Sequence, residues 1–139
     1  MNDVVLNKKE SIERCLKQIR HYYRLPAEIP FAEDFLKQDA IAINMQRACE
    51  QVIDIANYLV KQRKLGIPKD SRDSFRLLAD NQIIPGHLAQ NLIKMIGFRN
   101  VLVHEYQQLD LTLMVDVIEN HLDDLLILTE HALKATAEP

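Results

Sequence analysis

Arg99, Asn100 and His104, in the stretch IGFRNVLVHEY (residues 96–106), are the side chains whose types and spacing can do chemistry. An imidazole titrates near neutrality and can accept a proton from a hydroxyl, while a guanidinium can hold two phosphate oxygens as negative charge grows on them. RNA cleavage needs both operations. The ribose 2′-OH is an internal nucleophile, so no metal-bound water is required, and the expected products carry a 2′,3′-cyclic phosphate and a 5′-OH. DNA lacks that hydroxyl and is not expected as a substrate. Asn100 is a candidate to orient the imidazole or bond a phosphate oxygen, and Tyr106 to stack on a base.

These residues must sit on a helix for the spacing to matter. Counting about 100° per residue from Leu88, the side chains of Leu88, Leu92, Met95, Ile96, Leu102 and Val103 fall within roughly 120°, and Arg99 projects near the middle of that arc. Asn100 and His104 stack one turn apart, about 140° from Arg99 in the case of His104, a gap much of which arginine's length can close. Tyr106 falls where the helix is expected to fray. A guanidinium cannot shed its charge and is seldom buried unpaired, so Arg99 either has a partner or faces a wet cleft. The pattern leaves both open: a functional site, or a structural arginine paired with an acid such as Glu50 or Asp54 beside a satisfied histidine.

The elements that carry this segment read as all-α. The chain of 139 residues is 47% hydrophobic with 3 Gly, 5 Pro and no Trp, a composition that favours long helices in one domain, residues 1–139. Residues 3–23 form an amphipathic pattern with two i,i+4 pairs, Glu10 with Arg14 and Glu13 with Lys17. The two prolines of RLPAEIP make residues 24–31 a connector. A long helix from about Asp34 to Leu65 carries Ile41, Met45, Ala48, Val52, Ile55 and Leu59 and is expected to be the central packing element, stopped by Gly66 and Pro68. A short helix follows from Ser71 or Asp73 to Asn81, and Pro85-Gly86 opens the helix of Arg99. Asp110 caps a last helix whose apolar residues run from Leu111 to Leu133. About five helices in an up-and-down bundle are therefore expected.

Charge and cysteine usage narrow the classes. A net charge of -3 argues against a surface that coats nucleic acid throughout, yet residues 61–76 hold six basic and two acidic side chains. Lys61, Arg63, Lys64, Lys69, Arg72 and Arg76 are thus candidates for RNA phosphates, or simply a solvated helix end and loop. Cys15 and Cys49 stand apart with no metal-ligand spacing and read as core residues in a reducing, cytoplasmic setting. No apolar run is long enough to span a membrane, and no signal peptide is apparent. His21, His87, His121 and His131 read as surface or interface residues, and Tyr22, Tyr23 and Tyr58 as packing residues, one ring of the Tyr22-Tyr23 pair being within possible reach of RNA.

The spacing R-N-x-x-x-H-x-Y, here Arg99, Asn100, His104 and Tyr106, resembles the signature of HEPN domains, and the whole chain is similar to their HepT-like toxin branch. That resemblance implies an endoribonuclease with no metal or other cofactor for cleavage, acting as a homodimer in which the Arg and His of both copies meet at a shared cleft. It also implies a partner, a minimal nucleotidyltransferase antitoxin that uses ATP to transfer AMP onto Tyr106. An added nucleotide would place negative charge and bulk beside Arg99 and His104. Two other readings use the same residues differently: a non-catalytic subunit that presents a nucleotide or substrate to that nucleotidyltransferase, and a purely structural dimerisation module.

Overall fold

The computed structural model describes residues 2–104 and 109–137. Their elements are α1 (Asp3–Arg24), a 3-10 turn (Phe31–Glu33), α2 (Phe35–Gln62), α3 (Ser71–Asp80), α4 (Gly86–His104), α5 (Leu111–Asn120) and α6 (Leu122–Thr136). Each of the first three long starts has a side-chain cap. Asn2 accepts from the Val5 N–H at 3.0 Å, Asp34 from Lys37 at 3.0 Å and Asp70 from Asp73 at 2.9 Å, which satisfies amide donors that the helix itself leaves open. Asp110 does the same for α5, accepting from Leu113 at 3.2 Å, as its position predicts.

Interhelical bonds fix the packing directions. Asn2 donates to the Tyr58 hydroxyl and Lys8 pairs with Asp54, whereas Lys37 reaches the Leu25 carbonyl at the other end, so α1 and α2 run antiparallel. Arg20 pairs with Asp123 at 2.7 Å and Arg63 donates to the Ala135 carbonyl at 2.7 Å. Thus α6 runs antiparallel to α1 and parallel to α2. Helix α2 packs against α1, α3, α4 and α6, and its Ile41, Met45, Ala48, Cys49, Val52, Ile55, Ala56 and Leu59 are fully or almost fully buried. It is the central element that its apolar periodicity predicts. The buried side chains of all six helices join one apolar cluster, the source of most of the folding free energy.

Three expectations are corrected. The last helical stretch is two helices, because His121 leaves the helical region (φ -127°, ψ -4°) between α5 and α6, giving six α-helices instead of about five. The apolar periodicity continues across the break, but the chain turns where His121 is held between two acids, Asp116 at 3.2 Å from Nε2 and Asp124 at 3.5 Å from Nδ1. His121 is therefore half-buried and partnered, more than a surface histidine. Second, α2 stops at Gln62, three residues before Leu65. Lys64 adopts a left-handed conformation (φ +55°) and the Leu65 N–H returns to the Val60 carbonyl at 3.0 Å, closing the helix before Gly66 is reached. Third, neither Glu10–Arg14 nor Glu13–Lys17 forms an ion pair; Lys8 of α1 instead pairs with Asp54 of α2, and Arg20 of α1 with Asp123 of α6.

Candidate active site

The site is built on the last two turns of α4. That helix begins where Pro85 offers its carbonyl to the Ala89 N–H at 3.1 Å and continues unbroken through His104. Leu88, Leu92, Met95, Ile96 and Leu102 are buried as the stripe predicts, but Val103 is 39% exposed. The apolar surface therefore continues out of the core at the C-terminal end of α4.

Arg99 sits at that edge, half-buried. Its Nε is fully enclosed and has no hydrogen-bond partner among the described residues. Neither acid considered for it forms an ion pair with it: Glu50 accepts from the neutral Gln46 at 3.2 Å, and Asp54 pairs with Lys8 at 3.3 Å. The charge of Arg99 reaches the thiol of Cys49 on α2. Burial pushes that thiol up to about 12, with the positive charge of Arg99 pulling the other way and Glu50 and Cys15 adding to the rise. A neutral thiol does not discharge a guanidinium. Burying a charged group without a partner is costly, and natural cores seldom do it without another use for the charge.

Asn100 is half-buried on the next position, and His104 is exposed in the final turn. Neither is engaged in a side-chain hydrogen bond or ion pair among the described residues. The imidazole is thus open to solvent and to a ligand, on the same helix end as the half-buried guanidinium. Tyr106 lies outside the described residues.

The six basic candidates are all exposed. Lys61, Arg63 and Lys64 close α2, and Arg72 and Arg76 ride on α3, with Lys69 just before it. Lys61 is about 18 Å along α2 from Cys49, taking 1.5 Å per residue, so the structure does not gather this cluster around Arg99. Arg63 is partly committed, since its Nη2 caps the C-terminal end of α6 at Ala135. Sequence reasoning missed Cys49 as a group that the charge of Arg99 reaches, because its apolar surroundings mark it only as core. It also missed a line of cations on α1, having assigned Lys17 to Glu13.

No helix among the described residues is long and apolar enough to cross a membrane. The profile of the HepT-like ribonucleases matches residues 12–132. An mRNA nuclease HepT of Shewanella oneidensis is 48% identical over 124 residues, covering 89% of this chain and 92% of that protein. The tri-AMPylated HEPN toxin of Shewanella oneidensis, solved in complex with an MNT antitoxin, superposes with a TM-score of 0.88 at 46% identity, covering 97% of this chain and 99% of that one. A toxin–antitoxin crystal structure with AMP-PNP gives the same TM-score at 45% identity, covering 95% and 99%. With its all-helical bundle, its cationic edge on α4 and these likenesses along nearly its whole length, this chain belongs to the family of HepT-like ribonucleases.

Proposed function

We propose that this ribonuclease is the toxin half of a toxin–antitoxin pair and cleaves RNA at the C-terminal end of α4. The 2′-oxygen attacks the adjacent phosphorus as His104 removes its proton, a P–O2′ bond forms, and the P–O5′ bond breaks. Arg99 holds the non-bridging oxygens as charge accumulates, and Asn100 positions the phosphate or the imidazole. The departing 5′-oxygen takes up a proton, which the imidazole of a second copy of the chain is placed to give if two copies meet along the exposed edge at Val103. Cleavage of this kind leaves a 2′,3′-cyclic phosphate and a 5′-OH, draws on no metal, and spares DNA.

One observation carries this reading: a half-buried guanidinium stands on the same helix end as an exposed imidazole, and neither has an ion pair among the described residues. Control then falls to a nucleotidyltransferase partner that adds AMP from ATP to Tyr106, placing phosphate beside the cation that the substrate needs. The test is to incubate the purified chain with RNA in EDTA and examine the ends. Fragments whose 5′ ends accept phosphate directly from a polynucleotide kinase, and whose 3′ ends resist ligation to a 5′-phosphate donor until the cyclic phosphate is opened and removed, are expected. Intact RNA, with the chain instead raising the activity of its nucleotidyltransferase, would identify it as a presenting subunit.

A further inference from the structure

The last two turns of α1 carry Lys17, Arg20, His21 and Arg24 at i, i+3, i+4 and i+7, one stripe on one face of the helix. The stripe lines an open cleft of about 540 Å³ against Leu126 of α6. A second cleft of about 610 Å³ shares Arg20 and Arg24 and is walled by Tyr23, Glu119 and Asp123. Two clefts with two common arginines form an elongated trough. In the first cleft Lys17, Arg20 and Arg24 outnumber Glu13, whereas in the second Arg20 and Arg24 face Glu119 and Asp123. Arg20 pairs with the exposed Asp123, but Lys17, His21 and Arg24 have no ion pair or hydrogen bond to a side chain among the described residues, and Glu13 is the one acid in the first cleft. The preference of cations for a helix C-terminus accounts for His21 and Arg24 in the last turn; it does not account for Lys17 and Arg20 on the same line.

From this geometry we infer that the α1 trough is a second RNA site, which holds the phosphodiester backbone of a strand whose cleavage takes place elsewhere. The inference rests on the ribonuclease reading. The site lies apart from α4, because α2 and α6 each pack against both α1 and α4 and stand between them. A polymer fits better than a small nucleotide, since the trough is open and continues from one cleft into the next. Lys17, Arg20 and Arg24, spread over about 10 Å of helix axis, match two to three phosphates of a stacked strand rising ~3.4 Å per nucleotide. Tyr23, with its hydroxyl 3.5 Å from Glu119, lines the second cleft as a surface for a base. In a protein of net charge -3, RNA needs such a local foothold.

The test uses the full chain and a fluorescent oligoribonucleotide with every 2′-OH methylated, which cannot be cleaved. Lys17→Gln/Arg24→Gln leaves Arg20 and its ion pair in place. It is expected to weaken binding about tenfold and to flatten the salt dependence of log K by about 1.4, the contribution of two phosphate contacts on a single strand. Cleavage of a dinucleotide is expected to be unchanged while KM for a long RNA rises. Wild-type affinity and salt slope in the double variant, with cleavage of long RNA intact, would overturn the trough alone. Loss of nucleotidyltransferase binding with RNA affinity unchanged would overturn it too, making this face a protein-docking surface. If the wild-type chain neither binds nor cuts RNA, the ribonuclease reading falls first and the trough with it.

Discussion

The positive charge of Arg99 on α4 acts on the buried thiol of Cys49 on α2, pulling against the rise that burial gives it, and no acid among the described residues forms an ion pair with Arg99. The relationship separates function from stability. A structural arginine would be bound to a carboxylate, and removing it would strand that carboxylate in the core at a cost of about 3–5 kcal/mol. Here there is nothing to strand. Arg99→Met, which keeps an apolar stem reaching as far as the enclosed Nε and removes the guanidinium, is expected to leave thermal stability unchanged or raise it by up to about 2 kcal/mol, while cleavage falls at least about 100-fold. Calorimetry beside an RNA cleavage assay measures both, and a loss of several kcal/mol would assign Arg99 to the scaffold.

His104 is exposed and unpaired among the described residues, so it bears little on the fold. For His104→Ala the expected stability change lies within about 0.5 kcal/mol, and the cleavage rate is expected to drop about 100- to 10,000-fold, the range for loss of a general base. Near-native cleavage in this variant would place the proton acceptor elsewhere.

Thiol chemistry offers a pH-dependent check. Burial raises Cys49 to about 12 from an ordinary value near 9, and raises Cys15 by the same cause. Because the folded-state value lies above the unfolded one, the neutral thiol contributes stability that is complete below about pH 9 and is lost as pH climbs toward 12. The native protein is expected to resist a thiol-directed reagent at pH 8 and to react at both cysteines once unfolded. In Cys49→Ala the fall in stability above pH 9 should be shallower, as followed by urea titration at several pH values.

The α2–α3 contact provides a control for damage remote from chemistry. Ser74 is fully buried and donates to Asn57 at 2.6 Å, and beside it Phe75 is fully buried in the core. Ser74→Ala is expected to cost about 1 kcal/mol and Phe75→Ala about 3–5 kcal/mol, both with unchanged cleavage per folded molecule. A selective loss of activity in Ser74→Ala would tie α3 to the site.

How far the sequence reaches depends on the range of the forces involved. Local rules placed Asp110 as a cap, the start of α4 at Pro85-Gly86, and the face of α2 that enters the core, because each depends on residues within a turn or two. Contacts between helices were not legible. Asp54 is a plausible partner for Arg99 in the sequence, and the antiparallel pairing of α1 with α2 gives it to Lys8. The break at His121 hides inside a continuous apolar period, since it depends on two carboxylates closing on one imidazole and not on a proline or glycine. At the site, Arg99, Asn100 and His104 were legible as a motif because polar groups interrupted an expected core face. The identity of the group that the charge of Arg99 reaches required the fold, and the motif position Tyr106 lies outside the described residues.

The solvent-facing His104 of α4, on the same helix as an arginine left unmatched among the described residues, has one more implication. A receptor for anions that is already assembled needs no rearrangement when its ligand arrives, and it also has no intramolecular latch among the described residues to hold it shut. On the proposed reading, restraint would come from another macromolecule or a covalent mark, and the cell's safety would depend on how promptly that restraint follows synthesis.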